Sequence, residues 1–214
     1  MIFGKIEYLN LLPFHIFMKR YLRSSSAAQA MHYKKSVPAK INKLYHTRQV
    51  DAAFISSITA KKESHVPLGI IAKKEVLSVL VIPQVHNIND KESATSNVLA
   101  KLLDVQGEVI IGDKALRYYL EGGKGIDLAK KWHDTYQLPF VFALLCHHGH
   151  TKKMNKLSKD FLRHKIYIPQ YLLQKAAKRT NIDTKDILNY LQYISYEMDA
   201  KAKKSVRLFW RLTR

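Results

Sequence analysis

Val50-Asp51-Ala52-Ala53-Phe54-Ile55-Ser56-Ser57 is an apolar run that ends on two hydroxyls. Its length suits a short buried strand better than a helix. Upstream, Ile2 to Tyr8 alternates apolar and polar residues around Gly4 and reads as a first strand. Asn10 to Pro13 ends it. Pro13 suits the first turn of a helix running to about Leu22, because proline lacks the amide hydrogen that this position leaves unpaired anyway. Ser24 to Ala28 reads as a loop or frayed helix end. A second strand is expected at Met31 to Lys35, and Pro38 opens a helix to about Thr47. Downstream, Leu68 to Ala72 and Val76 to Ile82 carry the β-branched content of strands. A helix follows from Thr95-Ser96, whose hydroxyls suit an N-cap. Glu108 to Ile111 is a strand, Lys114 to Leu120 and Asp127 to Tyr136 are helices, and Pro139 to Leu145 is again a strand. From Lys152 the pattern is helical, with starts at Pro169 and Asp183 and a last helix over Tyr196 to Arg211. Alternating strands and helices predict an α/β protein with mainly parallel sheets.

The chain has 214 residues, 47% of them hydrophobic and 25% charged, enough for a packed core. Lys and Arg number 36 against 17 Asp and Glu, a formal charge of +19. Such a balance fits either an anionic polymer or a basic surface that attracts small anions. The basic pairs are scattered, from Lys34-Lys35 to the Lys201 to Lys204 cluster. Neither a zinc-finger spacing nor an aromatic-rich RNA signature accompanies them, so no nucleic-acid partner is expected. Leu11 to Met18 is apolar and Ala28-Gln29-Ala30 resembles a signal-peptidase site, but Lys19, Arg20 and Arg23 lie between them. A signal peptide places its charge before the apolar run. No stretch approaches the roughly 18 apolar residues of a membrane span. A cytoplasmic protein without a membrane partner is expected. The single cysteine, Cys146, cannot form an internal disulfide.

Seven segments in order resemble the chorismate dehydratases of the futalosine route to menaquinone. They are Tyr8-Leu9-Asn10 with Pro13; Val50 to Ser57; Ser78-Val79-Leu80; Thr95-Ser96; Ile111 to Leu116; Asp127-Leu128 with Trp132; and Pro139-Phe140-Val141-Phe142-Ala143. Each is weak alone, and their order is specific. The resemblance implies a two-lobed, type II periplasmic-binding-protein-like α/β fold with the ligand in the cleft. Lobe one would comprise residues 1–77 with 142–214, and lobe two residues 78–141. It also implies a carbon-oxygen lyase (a hydro-lyase) that converts chorismate to 3-(1-carboxyvinyloxy)benzoate with no cofactor. The partner would be a small anionic substrate, and the protein a monomer or homodimer. Two departures stand out. The chain is short for the family, with an abrupt stretch between Leu103 and Glu108 that suggests a trimmed second lobe. The C-terminal third carries no matching motif. The other readings are a non-catalytic small-anion-binding protein of the same fold, and the sister pathway enzyme that makes a dihydroxynaphthoate.

Chorismate carries two carboxylates, a ring hydroxyl and an enolpyruvyl ether. Loss of water makes the ring aromatic, so orientation can supply much of the catalysis. Asn10 follows a strand, where α/β sheets place ligand groups. Its amide can donate to a carboxylate and accept from a hydroxyl, or it can simply form a turn. Asn10 and Ser78 are the expected catalytic residues. Tyr8, Ser56, Ser57, Thr95, Ser96, Gly112 and Asp113 are the expected substrate contacts. The hydroxyls equally suit helix caps, and at a helix start a cap and an anion site are compatible. Asp51 reads as structural, and Asp113 as a cap of the helix that follows it. His15 is the histidine near the Asn10 turn and equally suits a helix surface. No enzyme base stands out, so a substrate carboxylate is expected to take the proton.

Three further motifs carry less. Cys146-His147-His148-Gly149-His150 lacks the second cluster of a metal site, and none is expected. Gly122-Gly123-Lys124-Gly125 lacks Walker spacing and reads as a helix stop. Lys201 to Arg214, with Phe209 and Trp210, reads as a packed helix with a solvated basic face rather than a lipid contact.

Overall fold

The computed structural model describes residues 1–23 and 32–213. The Ser24 to Ala28 loop, the Ala28-Gln29-Ala30 stretch, Met31 and Arg214 lie outside the described residues.

The chain opens with β1 (Ile2–Lys5), a 3-10 turn at Leu9–Leu11 and α1 (Leu12–Arg23), whose first turn contains Pro13. β2 (His32–Lys35), α2 (Pro38–His46), β3 (Ala52–Ser56) and β4 (His65–Ala72) follow. Every residue of β3 is buried, as its apolar composition predicts. Asp51 is structural: its carboxylate accepts from Ile2 N at 2.6 Å, locking β3 beside β1. Gly4 is required by packing, since a Cβ there would lie 2.9 Å from both the Ala53 Cβ and the Ile41 Cγ2.

The chain then crosses to β5 (Val79–Ile82), α3 (Ala94–Leu102), β6 (Glu108–Ile111), α4 (Gly112–Leu120), β7 (Ile126–Asp127) and α5 (Leu128–Tyr136). It returns through β8 (Phe140–His147) and finishes with α6 (Thr151–Arg163), α7 (Gln170–Thr180), α8 (Thr184–Leu191), β9 (Ile194–Glu197) and α9 (Ala200–Leu212). Among the described residues, one six-stranded sheet has the order β2-β1-β3-β8-β4-β9, and a three-stranded sheet has the order β6-β5-β7.

The expectation of mainly parallel sheets is corrected. Among the named strands of the described residues, the parallel pairs are β1 with β2 and β1 with β3. β8 runs antiparallel to β3 and to β4, β9 antiparallel to β4, and β6 and β7 antiparallel to β5. Parallel neighbours need a crossover helix, which α1 and α2 supply near the N-terminus. β8 arrives from the smaller sheet and enters against the direction of both its neighbours. The last helix starts later than expected, because Ile194–Glu197 is an edge strand of the larger sheet. The strand at Val76 to Ile82 is shorter too, beginning at Val79.

A single apolar core joins the two sheets. Val79, Val81, Val109 and Ile111 face it, and the alternate residues Leu80 and Ile110 pack against Ala115 and Tyr118 on the other side. This is the period of two that strands impose. Trp132 is fully buried among Tyr136, Phe140 and Phe209, and its Nε1 donates to Ser205 Oγ at 3.0 Å. On α9, Ala202, Ser205, Val206 and Phe209 are buried while Lys201, Lys203, Lys204, Arg207 and Arg211 are exposed, the packed helix with a basic face that the sequence suggested.

The entry to the smaller sheet is held by one carboxylate. Asp127 accepts from Val76 N at 2.8 Å and Leu77 N at 2.7 Å, and from Ala129 N and Lys130 N at 2.9 and 3.0 Å. Leu77 takes a left-handed φ of 61°, a conformation that a non-glycine residue adopts at a cost. Asp127→Ala strips four backbone donors of their acceptor at once. It should lower stability by roughly 3 kcal/mol, read by urea denaturation.

Candidate functional site

A cavity of about 630 Å³, counted to its open mouth, lies between the two sheets. Its wall combines the ends of β1 and β3, the link before β5, the start of α3 and the β6-α4 junction. Of the residues expected at the site, Tyr8, Asn10, Ser56, Ser78, Thr95, Ser96 and Gly112 line it. Ile70, Val76 and Phe142 are among the apolar groups that complete the wall. Ser57 and Asp113 are not part of the lining.

Asn10 sits in the 3-10 turn after β1. Its backbone carbonyl accepts from Tyr196 Oη at 2.7 Å. Its side-chain Oδ1 is buried and has no partner, which makes it the unmet acceptor of the lining. Tyr8 packs its ring against Gly112 and donates its hydroxyl to Glu92. Burial and the Glu92 carboxylate push the pKa of that phenol up from its ordinary value of 10.0, so it stays protonated.

Ser56 Oγ accepts from Asn42 Nδ2 at 2.7 Å, and Asn42 Oδ1 accepts from Ser56 N at 3.1 Å. Ser78 lies in the link just before β5, is 2% exposed, and has its Oγ 2.8 Å from Tyr190 Oη. Thr95 Oγ1 accepts from Ile58 N at 3.3 Å. The helix cap is Ser93, not Thr95 or Ser96: Ser93 Oγ accepts from Ser96 N at 3.1 Å and donates to Ser96 Oγ at 2.7 Å. α3 therefore begins one residue earlier than expected and aims its N-terminal end at the cavity, with Ser93 in the wall. Ser93 was legible as a hydroxyl before an apolar helix, but Thr95-Ser96 offered the same signal.

Asp113 does not cap its own helix. Its carboxylate reaches back to accept from Leu9 N at 2.9 Å and from Arg179 Nη1 at 2.9 Å, tying α4 to the Asn10 turn and to α7. Burial raises its pKa above the ordinary 3.8, against the pull of those partners. Ser57 stands behind the wall. Its N donates to Phe142 O at 2.9 Å, and its carbonyl accepts from Trp210 Nε1 at 2.7 Å.

Among the described residues, no Lys, Arg, His, Asp or Glu lines the cavity. His15 lies outside it, with Nε2 donating to Ile6 O at 2.7 Å, and burial lowers its pKa from 6.5 to about 4. His148 stacks on Tyr45 with ring centroids 4.0 Å apart, and Cys146 is buried within β8. Among the described residues, no helix is long and apolar enough to cross a membrane.

This architecture is that of the periplasmic-binding-protein-like α/β proteins. A crystal structure of a protein from Archaeoglobus fulgidus is similar with a TM-score of 0.72 at 12% identity, covering 99% of this chain and 95% of that one. The periplasmic aliphatic sulphonate binding protein of Escherichia coli is similar with a TM-score of 0.53 at 12% identity, covering 99% and 91%. In sequence, the family model described as menaquinone biosynthesis matches residues 1–106 and 103–214. A chorismate dehydratase of Campylobacter jejuni is 47% identical over 213 residues, 98% of this chain and 96% of that protein. The chain belongs to the menaquinone-biosynthesis family. The chain nearly matches this relative in length, and the family match extends through the C-terminal third, where the sequence offered no motif.

Two outcomes follow from this geometry. Gly112 has φ +66°, and a Cβ there would lie 2.8 Å from the Tyr8 ring. Gly112→Ala should cost about 1–2 kcal/mol of stability through the backbone alone, and should displace Tyr8, weakening ligand binding measured by calorimetry. His15 folds with its pKa depressed, so the unfolded chain binds more protons between pH 6.5 and about 4. Stability is present above pH 6.5 and is lost as pH falls through that window. Urea midpoints at pH 7 and pH 5 should show the loss, and His15→Leu should flatten it.

Proposed function

We propose that the protein is a chorismate dehydratase, a hydro-lyase acting on chorismate as a small dianionic substrate. The observation that carries this reading is the uncharged, largely apolar lining, in which a buried, unpartnered acceptor at Asn10 Oδ1 stands among a few hydroxyl groups. Such a wall orients an oxygen-rich ring without supplying a strong acid or base. The 47% identity to a curated chorismate dehydratase over nearly the whole chain supports the same substrate.

In this reading the ring hydroxyl of chorismate donates to Asn10 Oδ1, and Ser56 and Ser78 donate to substrate oxygens. The unpaired amides at the start of α3 favour a carboxylate. A ring C–H bond gives its electron pair to the forming aromatic system, and its proton passes to a substrate carboxylate. The C–O bond breaks, and the departing hydroxide takes that same proton back from the carboxylate and leaves as water, so the carboxylate is regenerated. The reaction is redox-neutral and needs no cofactor. The absence of an ionisable group with ordinary acidity from the lining supports the substrate as its own base. The formal charge of +19 concentrates a dianion near the protein, while a charge-free wall avoids holding it too tightly.

We assign lobe one to residues 1–77 and 142–214 and lobe two to residues 78–141. Membership of the two sheets supports this division in the main, with Phe140 and Val141 of β8 pairing in the larger sheet. The Tyr8–Glu92, Leu9–Asp113, Arg179–Asp113 and Ile58–Thr95 bonds then bridge the lobes around the cleft. A monomer or homodimer and a cytoplasmic location belong to the same reading.

Purified protein mixed with chorismate alone should yield a product lighter by one water that keeps its enolpyruvyl group, followed by liquid chromatography and mass spectrometry. Asn10→Ala and Ser78→Ala should each lower kcat by about a hundredfold. The pH profile of kcat should lack an enzymic ionisation near 7, and one that vanished in His15→Ala would refute the substrate-base mechanism. Binding without turnover would favour a ligand-binding protein instead.

A further inference from the structure

The polar groups of the cavity are held from behind, and the way they are held decides which of them can donate. Asn42 shows the principle. Its Oδ1 accepts from Ser56 N, so the other end of the amide must be the donor to Ser56 Oγ. Ser56 Oγ is thereby an acceptor toward Asn42, and its own hydrogen is left for the cavity.

Ser78 is held by Tyr190 of α8, a residue from the C-terminal third. Both side chains are 2% exposed and their oxygens are 2.8 Å apart. In a pair of hydroxyls one hydrogen is shared and the other is free. Were Ser78 the donor, the Tyr190 hydrogen would be left in the core, where Ser78 is the hydrogen-bond partner the phenol has among the described residues. A buried donor without an acceptor is costly, whereas a Ser78 hydrogen released by the opposite arrangement faces the cavity that Ser78 lines. The phenol is also the more acidic hydroxyl and the stronger donor.

We infer that Tyr190 is a positioning residue that commits the Ser78 hydroxyl to donate into the cavity, so that this point of the site accepts only a substrate bearing an oxygen acceptor there, such as a carboxylate or a departing hydroxyl. Together with Ser56 as donor and Asn10 Oδ1 as acceptor, it writes a fixed donor and acceptor code on an uncharged wall. The inference rests on the chorismate reading and adds to it a residue that does not line the cavity.

The test is a double-mutant cycle on chorismate turnover with the parent, Ser78→Ala, Tyr190→Phe and the double variant, each checked for an intact cooperative melt. Tyr190→Phe keeps the ring and deletes one oxygen. It should lower kcat about tenfold, the size of one net hydrogen bond, with KM within about twofold. In the Ser78→Ala background it should lower kcat less than about twofold, because the residue it acts through is already gone. An equal loss in both backgrounds, or no loss in either, overturns the inference and leaves Tyr190 as core packing. If the parent is active and Ser78→Ala is harmless, the inference falls while the chorismate reading stands. If the folded parent does not turn chorismate over, both fall.

Discussion

β8, inserted antiparallel between β3 and β4, is the pairing on which the rest of the structure depends. Ala52 to Ser56 align with His147 to Ala143, and β4 takes the other edge of the same strand. This return from the smaller sheet closes the core of the larger one and brings Phe142 and Ala143 into the cavity wall beside Ser56. The junction is reinforced where Ser57 N donates to Phe142 O. A strand buried on both edges cannot slip by one residue without exposing its whole apolar face. The end of β3 and the floor of the cavity therefore keep a fixed relation.

Around that floor the site is assembled from chain segments distant in sequence but short in reach. Carboxylates do the fastening away from the cavity. Asp51 joins β1 and β3, Asp127 joins the entry of β5 to the start of α5, and Asp113 joins α4 to the Asn10 turn. Each accepts backbone hydrogens, the arrangement that best offsets the cost of burying a carboxylate. The polar part of the wall, set among apolar side chains, is left to hydroxyls, an amide and a helix end. A dianion would be repelled by a carboxylate placed there, and a bound product would be hard to release from a lysine.

The edges of several elements were hidden for identifiable reasons. Val76 to Ile82 reads as one strand, yet Asp127, some fifty residues away, captures two amides at its start and bends it. Ser93, Thr95 and Ser96 compete as caps, and a choice among neighbouring hydroxyls is made by the packing of α3, not by their chemistry. Tyr196 looked like a helix start, but the free edge of β4 recruits it into β9.

The sequence by itself determined the α/β class, the buried strand at Ala52–Ser56, the helix starts at Pro38, Pro169 and Asp183, and the pairing of strand ends with hydroxyls and Asn10. These are local matters of periodicity, proline geometry and capping, readable within a turn or two of chain. Only the tertiary structure decided that the sheets are mostly antiparallel, that Asp113 serves Leu9 and Arg179 instead of its own helix, and that Tyr190 and Tyr196 stand behind Ser78 and Asn10. Strand direction and buried hydrogen-bond partners are set by which surfaces meet between segments well apart in the chain, and no local pattern encodes that meeting.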